Sequence, residues 1–148
     1  MTILSGDDAT NVFGTQLTPP RKSVMSRVMF RPEKARREDH FLCVMQPVPA
    51  GTQPFACRKL EFGPAVAAVV ADRIAVFQRS GEFFTTAFRV TVPGDETEYR
   101  MLVNNLAPGR WRAVDAAGTV LAEETLTKPA LSLYFRARPG SVLLQPVR

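Results

Sequence analysis

Most of the chemistry open to this sequence rests on two groups of cations. Arg31, Lys34, Arg36 and Arg37 sit in the string RPEKARRED, while Arg110, Arg112, Arg136 and Arg138 come from RWR and FRARPG. A guanidinium is planar and permanently charged, so it grips carboxylate or sulfate oxygens through two parallel hydrogen bonds. Glu33, Glu38 and Asp39 interleave with the first group and cut its excess to about one charge, which makes a solvated loop the competing reading. In the second group, strand alternation sends Arg110 and Arg112 to one face and Trp111 to the other, where an indole fills a core more readily than it stacks on a sugar. If the two hairpins are neighbours, their four arginines form one basic patch.

The remaining reactive side chains are sparse. His40 follows Asp39 directly, and adjacent strand residues point to opposite faces, so the two make no catalytic dyad. Cys43 and Cys57 are centred on a turn at Ala50 and could face each other across a hairpin, either as a disulfide in an exported protein or as buried free thiols. One histidine and two cysteines cannot build a multi-histidine or four-thiolate zinc site. The dinucleotide, phosphate-loop, Gly-x-Ser-x-Gly and His-Glu-x-x-His motifs do not occur. No catalytic residue, metal ligand or cofactor is therefore assigned. The ten phenylalanines are expected mostly in the core rather than on a ligand platform.

The elements that must position these residues are short. With 148 residues the chain has room for one domain of ordinary size, and 45% hydrophobic with 22% charged residues is a globular composition. Apolar runs such as 65–71 fall short of the roughly 18 residues a membrane-spanning helix needs, so no membrane partner is expected. Twelve prolines and nine glycines interrupt the chain too often for long helices. Residues 1–22 read as an amino-terminal strand and an extended connector, TPPRK, and residues 23–148 as a sandwich domain, the whole forming one compact body. SVMSRVMF reads as a strand, HFLCVMQP as a central strand buried on both faces, and Ala65–Val70 with Ile74–Phe77 as a tight hairpin. Phe83–Val92 alternates as a half-buried strand, and hairpins follow with turn signals every 8 to 12 residues or so. The expected fold is all-β, an antiparallel β-sandwich of about ten short strands.

Four strings then carry a resemblance. RPEKARREDHFLCVMQP, MTILSGDDATNVFG, VAAVVADRIAVFQRSGE and MLVNNLAPGRWRAVDAAG together resemble the carboxy-terminal β-sandwich of heparinase II/III-like polysaccharide lyases. The sequence differs from that pattern in carrying Cys43 where a histidine is expected and Met29 in a strand that often holds an aromatic. The resemblance implies that the catalytic His, Tyr, Glu or Asn and the metal ligands belong to a toroid and a first sandwich amino-terminal to the region matched. Activity is then not expected of this chain alone, and Met1 would be internal to a longer frame or the chain a shortened paralogue. Met1–Gly14 lacks the cationic start and apolar stretch of a secretory leader, so a periplasmic or secreted location would come only with a longer lyase.

Taken with a net charge of +5 and a pI near 9.8, the resemblance implies a non-catalytic sandwich that supports a catalytic lyase domain or binds acidic polysaccharide. Its candidate glycan-binding residues are Arg31, Lys34, Arg36, Arg37, Arg110 and Arg112. A nucleic-acid-binding barrel ranks behind it, because the aromatics occupy strand-core positions and no Gly-Phe string of the RNA-binding type appears. A structural module that meets other protein chains is the third reading.

Overall fold

Three pentapeptides show why this chain becomes sheet. Phe88–Val92 reads FRVTV, Tyr99–Val103 reads YRMLV and Leu133–Ala137 reads LYFRA, and in each the first, third and fifth residues are buried while the second and fourth are exposed. That period of two is what an extended backbone requires of a half-buried strand. The computed structural model describes residues 2–5, 11–12, 15–16, 26–29, 34, 37 and 41–147, and no helix occurs among the described residues. The chain divides into two units, Met1–Asp39 and His40–Arg148.

In the first unit β1 (Thr2–Ser5) pairs antiparallel with β4 (Ser26–Met29), Thr2 opposite Met29, and β2 (Asn11–Val12) forms a short ladder with β3 (Thr15–Gln16). β4 falls inside the strand expected at SVMSRVMF. The connector TPPRK and the expected boundary between 22 and 23 lie outside the described residues.

The second unit holds nine strands: β5 (Cys57–Phe62), β6 (Ala65–Val70), β7 (Arg73–Gln78), β8 (Phe88–Val92), β9 (Tyr99–Val103), β10 (Gly109–Val114), β11 (Val120–Leu126), β12 (Leu133–Ala137) and β13 (Gly140–Pro146). They form a five-stranded sheet in the order β12-β9-β7-β6-β5 and a four-stranded sheet in the order β11-β10-β13-β8. This is the expected all-β sandwich, with one parallel pair in it. After β7 the chain crosses to lay β8 in the other sheet, then returns as β9 alongside β7 in the same direction. The inner faces share one core, in which Trp111, Tyr99, Met101, Leu106, Leu133 and Leu144 are fully buried. The indole of Trp111 donates from Nε1 to the carbonyl oxygen of Ala107 at 2.8 Å, so its one polar atom is satisfied as the ring fills the core.

Four expectations need correction. HFLCVMQP is not a central strand: 41–49 has no regular structure and its side chains are exposed or half-buried, while the strand most thoroughly buried is the small-residue run of β6. A continuous apolar run cannot distinguish a buried strand from an apolar surface segment, and the prolines at 47, 49 and 54 keep this stretch out of a ladder. Cys43 and Cys57 are exposed free thiols, not buried ones. Of the described phenylalanines only Phe84, Phe88 and Phe135 are buried, whereas Phe41, Phe55 and Phe83 are exposed. Regular pairing in the expected strand Phe83–Val92 starts at Phe88; Phe84 contributes a single bridge to Leu106 and stacks on Phe88 with ring centroids 3.9 Å apart.

Candidate functional site

The outer face of the five-stranded sheet is built by register. Glu61 on β5 stands opposite Val66 on β6, which stands opposite Phe77 on β7, and the next row along is Lys59, Ala68 and Ala75. Alternation on β5 therefore turns Lys59 and Glu61 to the same outward side, at the edge of a floor made by Val66 and Phe77. β7 ends at Gln78, and the next backbone amide, that of Arg79, donates to the carbonyl of Pro64 at 2.8 Å. This anchor brings the Arg79 side chain back over β5. Its Nη2 lies 2.7 Å from Glu61 Oε2, while Lys59 Nζ lies 2.6 Å from Glu61 Oε1. One carboxylate thus holds two cations. The hydrogen bond from Lys59 and the charge of Arg79 keep the Glu61 carboxyl below its ordinary range, so it is ionised at neutral pH.

A wall rises over this floor from 41–43. The Gln46 side chain pairs with the backbone of Phe55 in both senses, Nε2 donating to the carbonyl and Oε1 accepting from the amide, each at 3.0 Å, and so closes the loop that follows the wall. Between wall and floor lies a groove of about 790 Å³ lined by Phe41, Leu42, Cys43, Lys59, Glu61, Val66, Phe77, Gln78, Arg79 and Asn105. Asn105 adopts a left-handed φ of 60°, a conformation asparagine tolerates, and its carbonyl accepts from the Phe84 amide at 2.7 Å. Its side-chain amide makes no hydrogen bond among the described residues. The adjacent Asn104 is already engaged, its Oδ1 accepting from Ser132 Oγ at 2.8 Å.

Aromatic faces, two cations, a carboxylate and an amide converge in this groove, the mixture that holds a polar ring with an apolar face and an anionic substituent. Among the described residues no group of three His, Cys, Asp or Glu side chains gathers as a cation site.

The structure describes four of the six candidate binding residues read from the sequence. Arg31, Arg36 and His40 lie outside the described residues, and Lys34 and Arg37 are exposed in the first unit. Arg110 and Arg112 point outward from β10, opposite the buried Trp111 as alternation required, and both engage Glu123 of β11. Arg136 belongs to the other sheet and pairs with Glu98 at 2.9 Å, and Arg138 lies in the turn between β12 and β13, so these four arginines do not share one sheet. The sequence reading missed the groove. Lys59 and Glu61 were within its reach, since a spacing of two on a strand means one face. Arg79, Phe77 and Asn105 join them only through the register of β5, β6 and β7 and the turn after β9.

A family model of the heparinase II C-terminal domain matches residues 59–146. The match takes in Lys59, Glu61, Phe77, Arg79 and Asn105, and leaves the wall at 41–43 outside. No curated protein matches the chain.

Proposed function

Since the chain belongs to the heparinase II C-terminal domain family, we propose that it is a non-catalytic β-sandwich that binds acidic polysaccharide in the groove and supports a lyase catalytic domain. The observation that carries this reading is the meeting of Lys59 and Arg79 with the rings of Phe41 and Phe77 in one groove. Sugars offer an apolar C–H face to aromatic rings and, in acidic chains, an oxyanion to guanidinium and ammonium groups. Lys34, Arg37, Arg110 and Arg112, together with Arg31 and Arg36, serve in this reading as weaker, salt-sensitive contacts to the same polymer.

Binding of hyaluronate, heparin and single-stranded DNA at matched salt tests it. Arg79→Ala and Phe41→Ala should each weaken glycan binding several-fold, while Arg89→Ala, on the outside of β8, should not. Equal binding of DNA, or indifference of both glycans to Arg79→Ala, overturns the proposal and favours a nucleic-acid or protein-interaction module.

A further inference from the structure

We infer that the groove selects a chain carrying an isolated carboxylate per repeat over a densely sulfated one, and that Glu61 sets this choice. The inference rests on the groove being the glycan site. Lys59 and Arg79 bring two positive charges, but both are directed at the two oxygens of Glu61, at 2.6 and 2.7 Å, so the cluster retains an excess of a single charge. A lone uronate carboxylate balances that excess. Among the described residues that line the groove no further cation awaits a second anionic group on a neighbouring sugar carbon, which comes to rest beside the ionised Glu61 carboxylate.

The rest of the lining agrees. Val66, Phe77, Phe41 and Leu42 offer apolar surface that a sugar C–H face covers and that a sulfate cannot. Asn105, whose amide makes no hydrogen bond among the described residues, offers it to a hydroxyl. Glu61 also holds Lys59 and Arg79 in place, so it acts on selectivity through these cations as well as by repulsion. Its side chain is 46% exposed, which screens both effects and keeps the discrimination modest.

Calorimetric titration of hyaluronate, with one carboxylate per disaccharide, and of heparin, with several sulfates, at the same ionic strength tests the inference on the intact chain. Wild type should prefer hyaluronate, and Glu61→Gln should raise heparin affinity relative to hyaluronate by roughly three- to fivefold. Unchanged emission from the buried Trp111 reports that the variant is folded. A ratio that does not move with Glu61→Gln overturns the inference while leaving the glycan site standing. Binding of neither polymer, or binding of both that ignores Arg79→Ala, overturns the glycan site and the inference with it.

Discussion

Arg112 and Glu123 stand directly opposite each other across the β10–β11 ladder, Arg112 Nε donating to Glu123 Oε2 while Arg110 reaches Oε1 of the same carboxylate. The arrangement copies the Lys59–Glu61–Arg79 cluster in charge but not in surroundings. Glu123 is only 18% exposed against 46% for Glu61, and neither Arg110 nor Arg112 lines the groove with its aromatic rings. Arg110 and Arg112 are therefore held more firmly to their own acid. Replacing both with alanine is expected to lower the salt needed to elute the protein from immobilised glycan less than replacing Lys59 and Arg79 does. A larger effect of the Arg110 and Arg112 pair would move the main binding face to the four-stranded sheet.

The same carboxylates set the acid limit of stability. The hydrogen bond from Arg112 holds Glu123 below its ordinary value of 4.5, that from Lys59 does the same for Glu61, and the backbone amide of Thr119 lowers Asp115 from 3.8. A carboxyl whose folded pKa is depressed stabilises the fold above its unfolded pKa, and that stabilisation is lost as pH falls through the folded value. Denaturant midpoints should thus be level near neutrality and decline below about pH 4.5. Glu123→Gln should lower the midpoint at pH 7 and make the decline shallower. An acid slope identical to wild type would show that Glu123 contributes nothing to it.

Trp111 is the sole tryptophan and is 1% exposed. Its emission should be blue-shifted in the native protein and move to the red on unfolding. Trp111→Phe retains a ring but leaves the Ala107 carbonyl without its 2.8 Å partner, costing about 1–3 kcal/mol. Trp111→Ala adds a cavity between the sheets and should cost about 3–5 kcal/mol. Far-ultraviolet dichroism in denaturant measures both, and a Trp111→Ala loss near zero would mean the ring is not packed as the structure places it.

How far the sequence could be read follows from which forces were local. Phe88, Val90 and Val92 inward against Arg89 and Thr91, the outward Arg110 and Arg112 flanking Trp111, and the tight turn between β6 and β7 are all near-neighbour patterns, and each stands in the structure. The parallel pairing of β7 with β9 is not local, because it depends on where the chain lands after visiting the other sheet. The groove inherits that difficulty. Lys59 and Arg79 are twenty positions apart and reach the same carboxylate only because β5, β6 and β7 lie side by side and the Arg79 amide is tied to Pro64 just beyond β7. Phe41 and Leu42 misled for another reason: their apolarity suggested burial, while the prolines that follow them keep the segment on the surface as a wall.

That β6–β7 turn carries a conformational cost. Val70 pairs with Arg73, leaving Ala71 and Asp72 as a two-residue loop, and Ala71 sits at a φ of +48°. A Cβ is unfavourable in the left-handed region by about 1–2 kcal/mol. The loop is held from outside, the Asp72 carbonyl accepting from the Arg100 amide at 2.8 Å and its carboxylate lying 3.2 Å from Arg100 Nε. Ala71→Gly should stabilise by about 0.5–1 kcal/mol after allowing for the greater freedom of glycine in the unfolded chain, and Ala71→Val should destabilise by more than that. Midpoints ranked Gly above Ala above Val would establish the strain; the reverse order would refute it.

The two thiols distinguish the groove from the rest of the surface. Cys43 and Cys57 are both exposed and free, but only Cys43 lines the groove. Both should react with an aromatic disulfide reagent in native buffer, without denaturant, because neither must wait for the fold to open. A bound glycan covers the wall at 41–43 and leaves β5 Cys57 as it was. In Cys57→Ser the remaining thiol should therefore be modified more slowly when hyaluronate is present, in proportion to the occupancy measured by titration. In Cys43→Ser the rate at Cys57 should not change. Protection of Cys57 alone would put the ligand elsewhere on the sandwich, and protection of neither would detach glycan binding from the groove.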